Sequence, residues 1–345
     1  MITRIRIQNF RSFVDAEVKL RPFSLVVGAN GSGKTNLLRF LSLLSNTPGF
    51  DIEAFMEEAE KGESPVMEAS NEWIKHVNSP TKPTGFDVFM NVGNSDFVVH
   101  AGEIFAGEFE FTWRFPWKPG TLIPRFTLEA NCISEAEVIV ANAQIKENGS
   151  GTAQVLESLK NGDREDLFDK IEENFKRYVP EVEKLSLRTT AEGTKQIQVR
   201  ERGLNKPLPA TELSEGTRLV LCILTIVHQE NPPPIILLED IDRGLHPRLF
   251  EYVAPMMKDI AEKHGINILA TTHNPYLVDC FQDDKEAVII VEKKDGASTL
   301  STLADRLKDL DYDSVDPDDM PLGTLWFTGH VGGVPAKINR RPPAK

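Results

Sequence analysis

The sequence predicts an α/β protein in which a mostly parallel sheet is covered by helices, and three observations carry that expectation. A short apolar run at residues 23–27 leads into Gly28-Ala-Asn-Gly-Ser-Gly33-Lys34-Thr35, after which residues 36–44 place apolar side chains at helical spacing. From residue 213 onward, helix and strand patterns alternate, as they do when helical crossovers cover a parallel sheet. Two of these later apolar strands end in polar clusters, Glu239-Asp240 and Thr271-Thr-His273-Asn274, at the sheet edge where ligands of open α/β folds bind.

In chain order, strand patterns span residues 2–8, 16–20 and 23–27, with a turn around Asn9-Phe-Arg-Ser-Phe13. Residues 47–85 collect Gly, Pro and acidic clusters and read as an irregular insertion with one helix near 68–77. Apolar and polar residues alternate from 86 to about 140, as in Asp96-Phe-Val-Val-His100 and Gly107-Glu-Phe-Glu-Phe-Thr-Trp-Arg114, which predicts antiparallel strands. Helices are expected at 153–160 and 164–177, and strands at 184–188 and 195–200. Ser214-Glu-Gly-Thr217 opens a helix running to 227, which Pro232-Pro-Pro234 breaks. A strand at 235–238, a helix at 247–263 and strands at 266–271 and 287–292 follow, and no sustained heptads suggest a long coiled coil.

Composition narrows the function classes. A chain of 345 residues that is 40% hydrophobic can bury a large core, and no apolar run approaches the roughly 20 residues of a bilayer span. The opening residues begin a strand instead of a signal peptide, so a cytoplasmic protein with no membrane contact is expected. Cys132, Cys222 and Cys280 lack paired or metal-ligand spacing and are expected to be buried reduced thiols. A net charge of −13 argues against a surface built for nonspecific nucleic-acid binding. Locally, however, residues 1–45 hold Arg4, Arg6, Arg11, Lys19, Arg21, Lys34 and Arg39 against Asp15 and Glu17, which leaves room for a basic face. The acidic stretch 309–319 reads as a solvated loop, or as a docking tail.

The loop at 28–35 has a specific chemistry. Glycines at 28, 31 and 33 let successive N–H groups turn inward, and the following helix adds its positive end, so the loop forms a nest for triphosphate oxygens. Asn30, Gly31, Ser32, Gly33 and Asn36 would line that nest, Lys34 would reach the β- and γ-phosphates, and Thr35 would hold Mg2+. Of the acids Glu239 and Asp240, one can hold the metal and the other can orient or deprotonate water. His273, at the same edge, can hydrogen-bond a γ-phosphate. Ser214 and Gly216 start a helix and form a second anion site, which suggests service to the nucleotide of another subunit.

These elements together resemble the ABC-type ATPase heads of the RecF and SMC group, and more closely the stand-alone ATPases related to OLD nucleases. The likeness rests on Ile-Gln-Asn-Phe-Arg-Ser-Phe13, Gly-Ala-Asn-Gly-Ser-Gly-Lys-Thr-Asn36 and Glu-Asp-Ile-Asp-Arg-Gly-Leu-His-Pro247. It implies a P-loop NTPase of ABC-head type: a mixed sheet with an N-terminal antiparallel β-subdomain and a helical insertion. The head would be assembled from lobes 1–46 and 211–300, with an insertion at 47–210 and a tail at 301–345. By the resemblance, residues 28–35 are the Walker A loop, 213–216 the signature motif, Glu239 and Asp240 the Walker B and catalytic acids, and His273 the switch histidine; Arg11 would touch nucleotide phosphates.

The resemblance further implies an ATP-hydrolysing switch that dimerises head to head. It would control a separate nuclease or toxin in antiviral defence or DNA repair, with DNA as a further partner. The Glu-Asp order reverses the common Asp-Glu, which implies slow hydrolysis or a repositioned water, and a nonhydrolysing ATP-binding scaffold stays open as an alternative. A transporter ATPase subunit fits less well. Gln144 is the candidate for a glutamine loop. The 50 residues after Asp295 lack the acid cluster of a Toprim nuclease, so the chain is not expected to cut nucleic acid.

Overall fold

The computed structural model describes residues 1–43, 85–92, 95–101, 124–140, 143–230, 232–243, 245–310 and 320–335. The expected helix at 68–77, the strand at 107–114 and most of the acidic stretch 309–319 lie outside the described residues. The strands are β1 (Ile2–Phe10), β2 (Phe13–Lys19), β3 (Phe23–Gly28), β4 (Gly85–Val92), β5 (Ser95–Ala101), β6 (Arg125–Phe126), β7 (Val182–Thr189), β8 (Lys195–Glu201), β9 (Leu208–Pro209), β10 (Ile235–Leu238), β11 (Asn267–Thr271), β12 (Val288–Lys294) and β13 (Ala297–Thr302). The helices are α1 (Lys34–Leu43), α2 (Ala130–Ser134), α3 (Thr152–Asn161), α4 (Glu165–Tyr178), α5 (Glu215–His228), α6 (Phe250–His264), α7 (Pro275–Asp279), α8 (Leu303–Lys308) and α9 (Leu322–Phe327).

Ten strands form one mixed sheet in the order β5-β4-β1-β2-β13-β12-β3-β11-β10-β6, and β7-β8-β9 form a second, antiparallel sheet. The centre of the large sheet, β12-β3-β11-β10-β6, is parallel throughout. Its strands are buried on both faces, as parallel strands under helical crossovers must be: every residue of β3, β10 and β11 is buried. Alternation splits their side chains between two cores. Leu25, Val27, Ile236, Leu238 and Ile290 join the larger cluster with α5 and α6, whereas Val26, Leu237, Leu269 and Val291 pack with Leu37, Leu38 and Leu41 of α1. The antiparallel part, β5-β4-β1-β2, extends the sheet on one side.

Register brings distant segments together. Leu25 stands between Ala270 and Val288, and Gly28 opposite Val291, so the C-terminal ends of β3, β11 and β12 share one edge. Buried Asn267 staples the sheet's far end by accepting from Ile2 N at 2.7 Å and donating to Ile2 O at 3.0 Å. That amide pairing satisfies buried main-chain groups that would otherwise cost about 1–3 kcal/mol each.

Two expectations need correction. The strand pattern does not continue to residue 140: β6 is two residues long and pairs parallel with β10, and Ala130–Ser134 is helical. Arg218 of α5 fixes that helix, its Nη1 donating to Ala130 O at 3.2 Å and Ser134 Oγ at 3.1 Å, so tertiary contacts override the local alternation. Only Cys222 is fully buried, and burial pushes its thiol to about 12; Cys132 and Cys280 are half-buried, and all three are free.

The basic excess of the first 45 residues is largely consumed locally. Arg4 pairs with Glu17 at 3.0 Å, Arg6 with Asp15 at 2.7 Å, and Arg21 with Asp284 and Glu286. The remaining described arginines of that stretch, Arg11 and Arg39, lie close enough to each other that Arg39 acts on the charge of Arg11.

Candidate functional site

The glycine-rich loop between β3 and α1 has the backbone that its residue types predict. Gly28, Gly31 and Gly33 take φ of 156°, 75° and 120°, conformations that L side chains rarely adopt. Gly28 and Gly33 are also hemmed in: a Cβ on Gly33 would sit 2.6 Å from Ser298 Oγ, and one on Gly28 would sit 2.7 Å from Ser32 Oγ and collide with the carbonyl of Val291. Gly31 has open space around it, so its glycine serves the backbone alone. Ser298 braces the loop, its N–H donating to Ser12 O at 2.6 Å and its Oγ to Ser32 O at 2.5 Å. Asn36 Nδ2 donates to Ser12 Oγ at 2.9 Å, which ties α1 to the same brace.

Lys34 is buried and folds back over the loop, its Nζ donating to Gly28 O at 2.8 Å and Ala29 O at 3.1 Å. Burial pushes its pKa down, and the Asp240 carboxylate opposes that shift. Thr35, in the next position of α1, is exposed. Ser32 Oγ is buried without a hydrogen-bond partner. A buried ammonium and an unsatisfied hydroxyl inside a nest of turned glycines fit a polyanion.

The acid pair closes the site from β10. Glu239 N donates to Phe126 O at 2.8 Å, and its carboxylate lies 3.7 Å from Arg125 Nη1 while Oε1 is buried without a hydrogen bond. Asp240 adopts φ 49°, unusual for a residue with a side chain, and is held there by its N–H donating to Thr271 Oγ1 at 2.9 Å. Thr272 Oγ1 donates to Asp242 Oδ1 at 2.6 Å and accepts from Asn274 N at 3.0 Å, which fixes the segment carrying His273. His273 is exposed overall, yet partial desolvation first and the Lys34 ammonium second push its pKa below the usual histidine range, against Asp240 and Asp242. Electrostatically, Lys34, Asp240 and His273 therefore form one group. The orphaned carboxylate oxygen of Glu239 and the exposed hydroxyl of Thr35 are hard oxygen donors of the kind that fits Mg2+.

Arg11 takes φ 51° in the β1–β2 turn. Burial lowers its pKa first, then the guanidiniums of Arg39 and Arg125, so cations from three separate elements gather at this edge. Ser214 caps α5, accepting from Thr217 N at 3.1 Å, while a Cβ on Gly216 would lie 2.7 Å from Leu249 Cδ1. The described contacts of these two residues are thus with their own helix and with Leu245 and Leu249. Gln144 packs its main-chain carbonyl against Gly151 at the start of α3.

Sequence reasoning missed Ser298, Thr271, Thr272 and Arg125. Ser298 had a signal: Asp295-Gly296, with φ of 51° and 84°, is a hairpin turn between β12 and β13. Arg125 had none, because nothing local marks a two-residue strand.

The C-terminal segment packs back on the head. On α9, Gly323 N donates to Asp279 Oδ1 at 2.7 Å and leaves no space for a Cβ against Pro275 of α7. Farther on, a Cβ on Gly333 would lie 2.6 Å from Ile290 Cγ2 and 3.8 Å from Gly28 Cα.

Comparison with known proteins agrees with this geometry. A family described as "AAA ATPase domain" matches residues 1–179, and one described as "AAA domain, putative AbiEii toxin, Type IV TA system" matches residues 144–279. An OLD nuclease from Thermus scotoductus is 24% identical over 89% of this chain and 67% of its own length. Among solved structures, an SMC head bound to the C-winged helix domain of ScpA superposes with a TM-score of 0.53 at 15% identity, covering 87% of this chain and 97% of the other. An SMC head with an extended coiled coil, bound to the C-terminal domain of ScpA from Pyrococcus furiosus, gives 0.51 at 13% identity over 91% and 99%. At these identities the structures speak to the fold, which is the expected α/β head with a mixed sheet. Among the described residues, no helix is long and apolar enough to cross a membrane.

Proposed function

Because the chain belongs to the AAA ATPase domain family and has an SMC-head-type fold, we propose that it is an ATP-hydrolysing switch whose site is built from residues 28–36, 239–240 and 273. The observation that supports this most is the convergence of buried Lys34, Asp240 and His273 at the mouth of a glycine nest formed by Gly28, Gly31 and Gly33.

Each residue has a chemical part. The loop N–H groups and Lys34 bind the β- and γ-phosphates, exchanging the Gly28 and Ala29 carbonyls for phosphate oxygens. Thr35 and Glu239 would hold Mg2+, which would supply charge neutralisation at the phosphates when bound. Asp240, fixed by Thr271, orients water and accepts its proton. His273, inclined to the neutral form, hydrogen-bonds the γ-phosphate and reports its loss. Arg11 adds a further cation to the phosphates.

Ser214 and Gly216 make no described contact with the loop of their own chain, and this favours their use on the nucleotide of a second copy. Two heads would then enclose two ATP molecules and separate on hydrolysis. The head would consist of lobes 1–46 and 211–300, with 47–210 inserted and 301–345 following. By analogy with the OLD nuclease relative, such a switch would govern a separate nuclease or toxin, in defence or repair, and meet DNA. A location in the cytoplasm fits this reading.

The test is the solution mass of Asp240→Asn protein with and without ATP and Mg2+, alongside phosphate release. A mass that doubles only with ATP, with turnover lost, supports the switch. Normal turnover by this variant would sink the assignment of Asp240, and a mass indifferent to bound ATP would remove the two-headed sandwich.

A further inference from the structure

The edge that carries the candidate site holds an incomplete ion pair. Glu239 Oε1 is buried and accepts no hydrogen bond, and Arg125 Nη1 approaches it only to 3.7 Å, beyond hydrogen-bond reach. Both side chains are largely sheltered, at 25% and 20% exposure, so screening by water is incomplete. Backbone register explains the closeness: β6 is the parallel neighbour of β10 with Arg125 opposite Leu237, so Glu239, two residues beyond Leu237 on the same face, lies diagonally across from Arg125.

Arg125 also meets its own kind. It acts on the charge of Arg11 in the β1–β2 turn, as does Arg39 of α1, and α1 packs beside β6. Arg125 therefore feels both a carboxylate that attracts it and the Arg11 guanidinium that repels it. A metal ion at Glu239 would displace it, and a polyphosphate among the arginines would draw it away. The first event breaks an attractive contact, and the second relieves a repulsive one.

We propose that Arg125 is a positioning residue: it holds the Glu239 carboxylate before metal binds, and releases it when its guanidinium turns to the phosphates beside Arg11 and Arg39. The proposal rests on the ATPase reading of the same site. It makes productive metal binding conditional on the triphosphate, because metal alone must compete with Arg125 for Glu239, while a nucleotide removes that competitor.

The experiment uses the full chain, with Mn2+ alone as the metal probe, followed by electron paramagnetic resonance, and a fluorescent ATP analogue in EDTA as the nucleotide probe. Arg125→Gln is expected to tighten Mn2+ binding without nucleotide by about fivefold and to weaken the analogue by a similar factor, the scale of one partly sheltered charge pair. Arg125→Lys keeps the charge and should lie near wild type in both. In a Glu239→Gln background, Arg125→Gln should no longer change Mn2+ affinity.

Unchanged Mn2+ affinity in a folded Arg125→Gln protein overturns the proposal, as does an equal tightening in the Glu239→Gln background. If Arg125→Gln does not fold, Arg125→Met carries the same comparison, with Arg125→Lys as the charge-keeping control. Failure of wild-type protein to bind the analogue would overturn the ATPase reading itself, whereas the Mn2+ titrations read the Arg125–Glu239 pair separately.

Discussion

Replacing Lys34 by methionine separates the energetics of the empty loop from those of the filled one. In the unliganded protein the ammonium is buried, and its two bonds to Gly28 O and Ala29 O offset the cost of taking the charge out of water. Methionine fills nearly the same volume, removes the buried charge, and leaves the carbonyls of buried Gly28 and half-buried Ala29 without that donor. The two bonds lost, at about 1 kcal/mol each net, and the desolvation relieved act in opposite directions. The unliganded variant should therefore lie within about 1 kcal/mol of wild type. With ATP and Mg2+ at a hundred times the dissociation constant, wild type gains about 2.7 kcal/mol from binding, and the variant should gain almost nothing. For a chain of this size that difference is about 4 °C in Tm, measurable by thermal scanning with and without nucleotide. A variant that keeps the full ATP-dependent shift would refute the assignment of Lys34 to the phosphates, and one that melts far below wild type without nucleotide would mean that the ammonium is structural.

Other consequences follow from the same geometry. Gly28→Ala places a methyl against the Val291 carbonyl at a positive φ and should cost roughly 3 kcal/mol or more, seen as a drop in Tm without nucleotide and loss of ATP binding; Gly31→Ala, with open space around it, should fold far better. Gly323→Ala drives a methyl into Pro275 and should loosen α9 from α7, measured as faster amide exchange across residues 322–327 and a change in nucleotide affinity if the nearby His273 segment shifts. His228, His264 and His273 all have folded pKa values lowered mainly by burial, so the unfolded chain binds more protons between those values and about 6.5. Stability should accordingly fall as pH drops below about 6.5, with no gain above it, and His228→Gln should flatten that slope in denaturant titrations at several pH values.

Much of the fold was legible because its central strands are written in continuous apolar runs. Ile235–Leu238 can be only a buried strand or a helix fragment, and four residues between proline and an acid pair decide for strand. The glycine loop was legible because three glycines at fixed spacing answer to a backbone requirement, which the φ values of Gly28, Gly31 and Gly33 express. What stayed hidden depends on tertiary placement. Arg125 gains its meaning from a neighbour 114 positions away in sequence, Glu239, and Ser298 from Ser12 and Ser32 across the sheet. The helix Ala130–Ser134 is stabilised by Arg218 of another element, so its own residues could not announce it. Salt bridges to Glu17 and Asp15 likewise occupy Arg4 and Arg6, which composition alone had counted toward a basic face.

The order of strands also dictates when this molecule can become itself. Strand β3, which ends in Gly28, lies between β11 and β12, and Gly28 meets its neighbour Val291 only about 260 residues later. At synthesis rates of about 5–20 residues per second, the loop waits on the order of 15–50 s for the strands that shape it. Until then the nascent chain carries an apolar strand with neither lateral partner, an invitation to chaperones and to misassembly alike. Nucleotide cannot guide the early steps, since the cradle it would fill waits for Val291 and Ser298. The loop therefore gains its neighbours only once residues 288–302 have emerged, and a product truncated before them inherits the exposed strand without its partners.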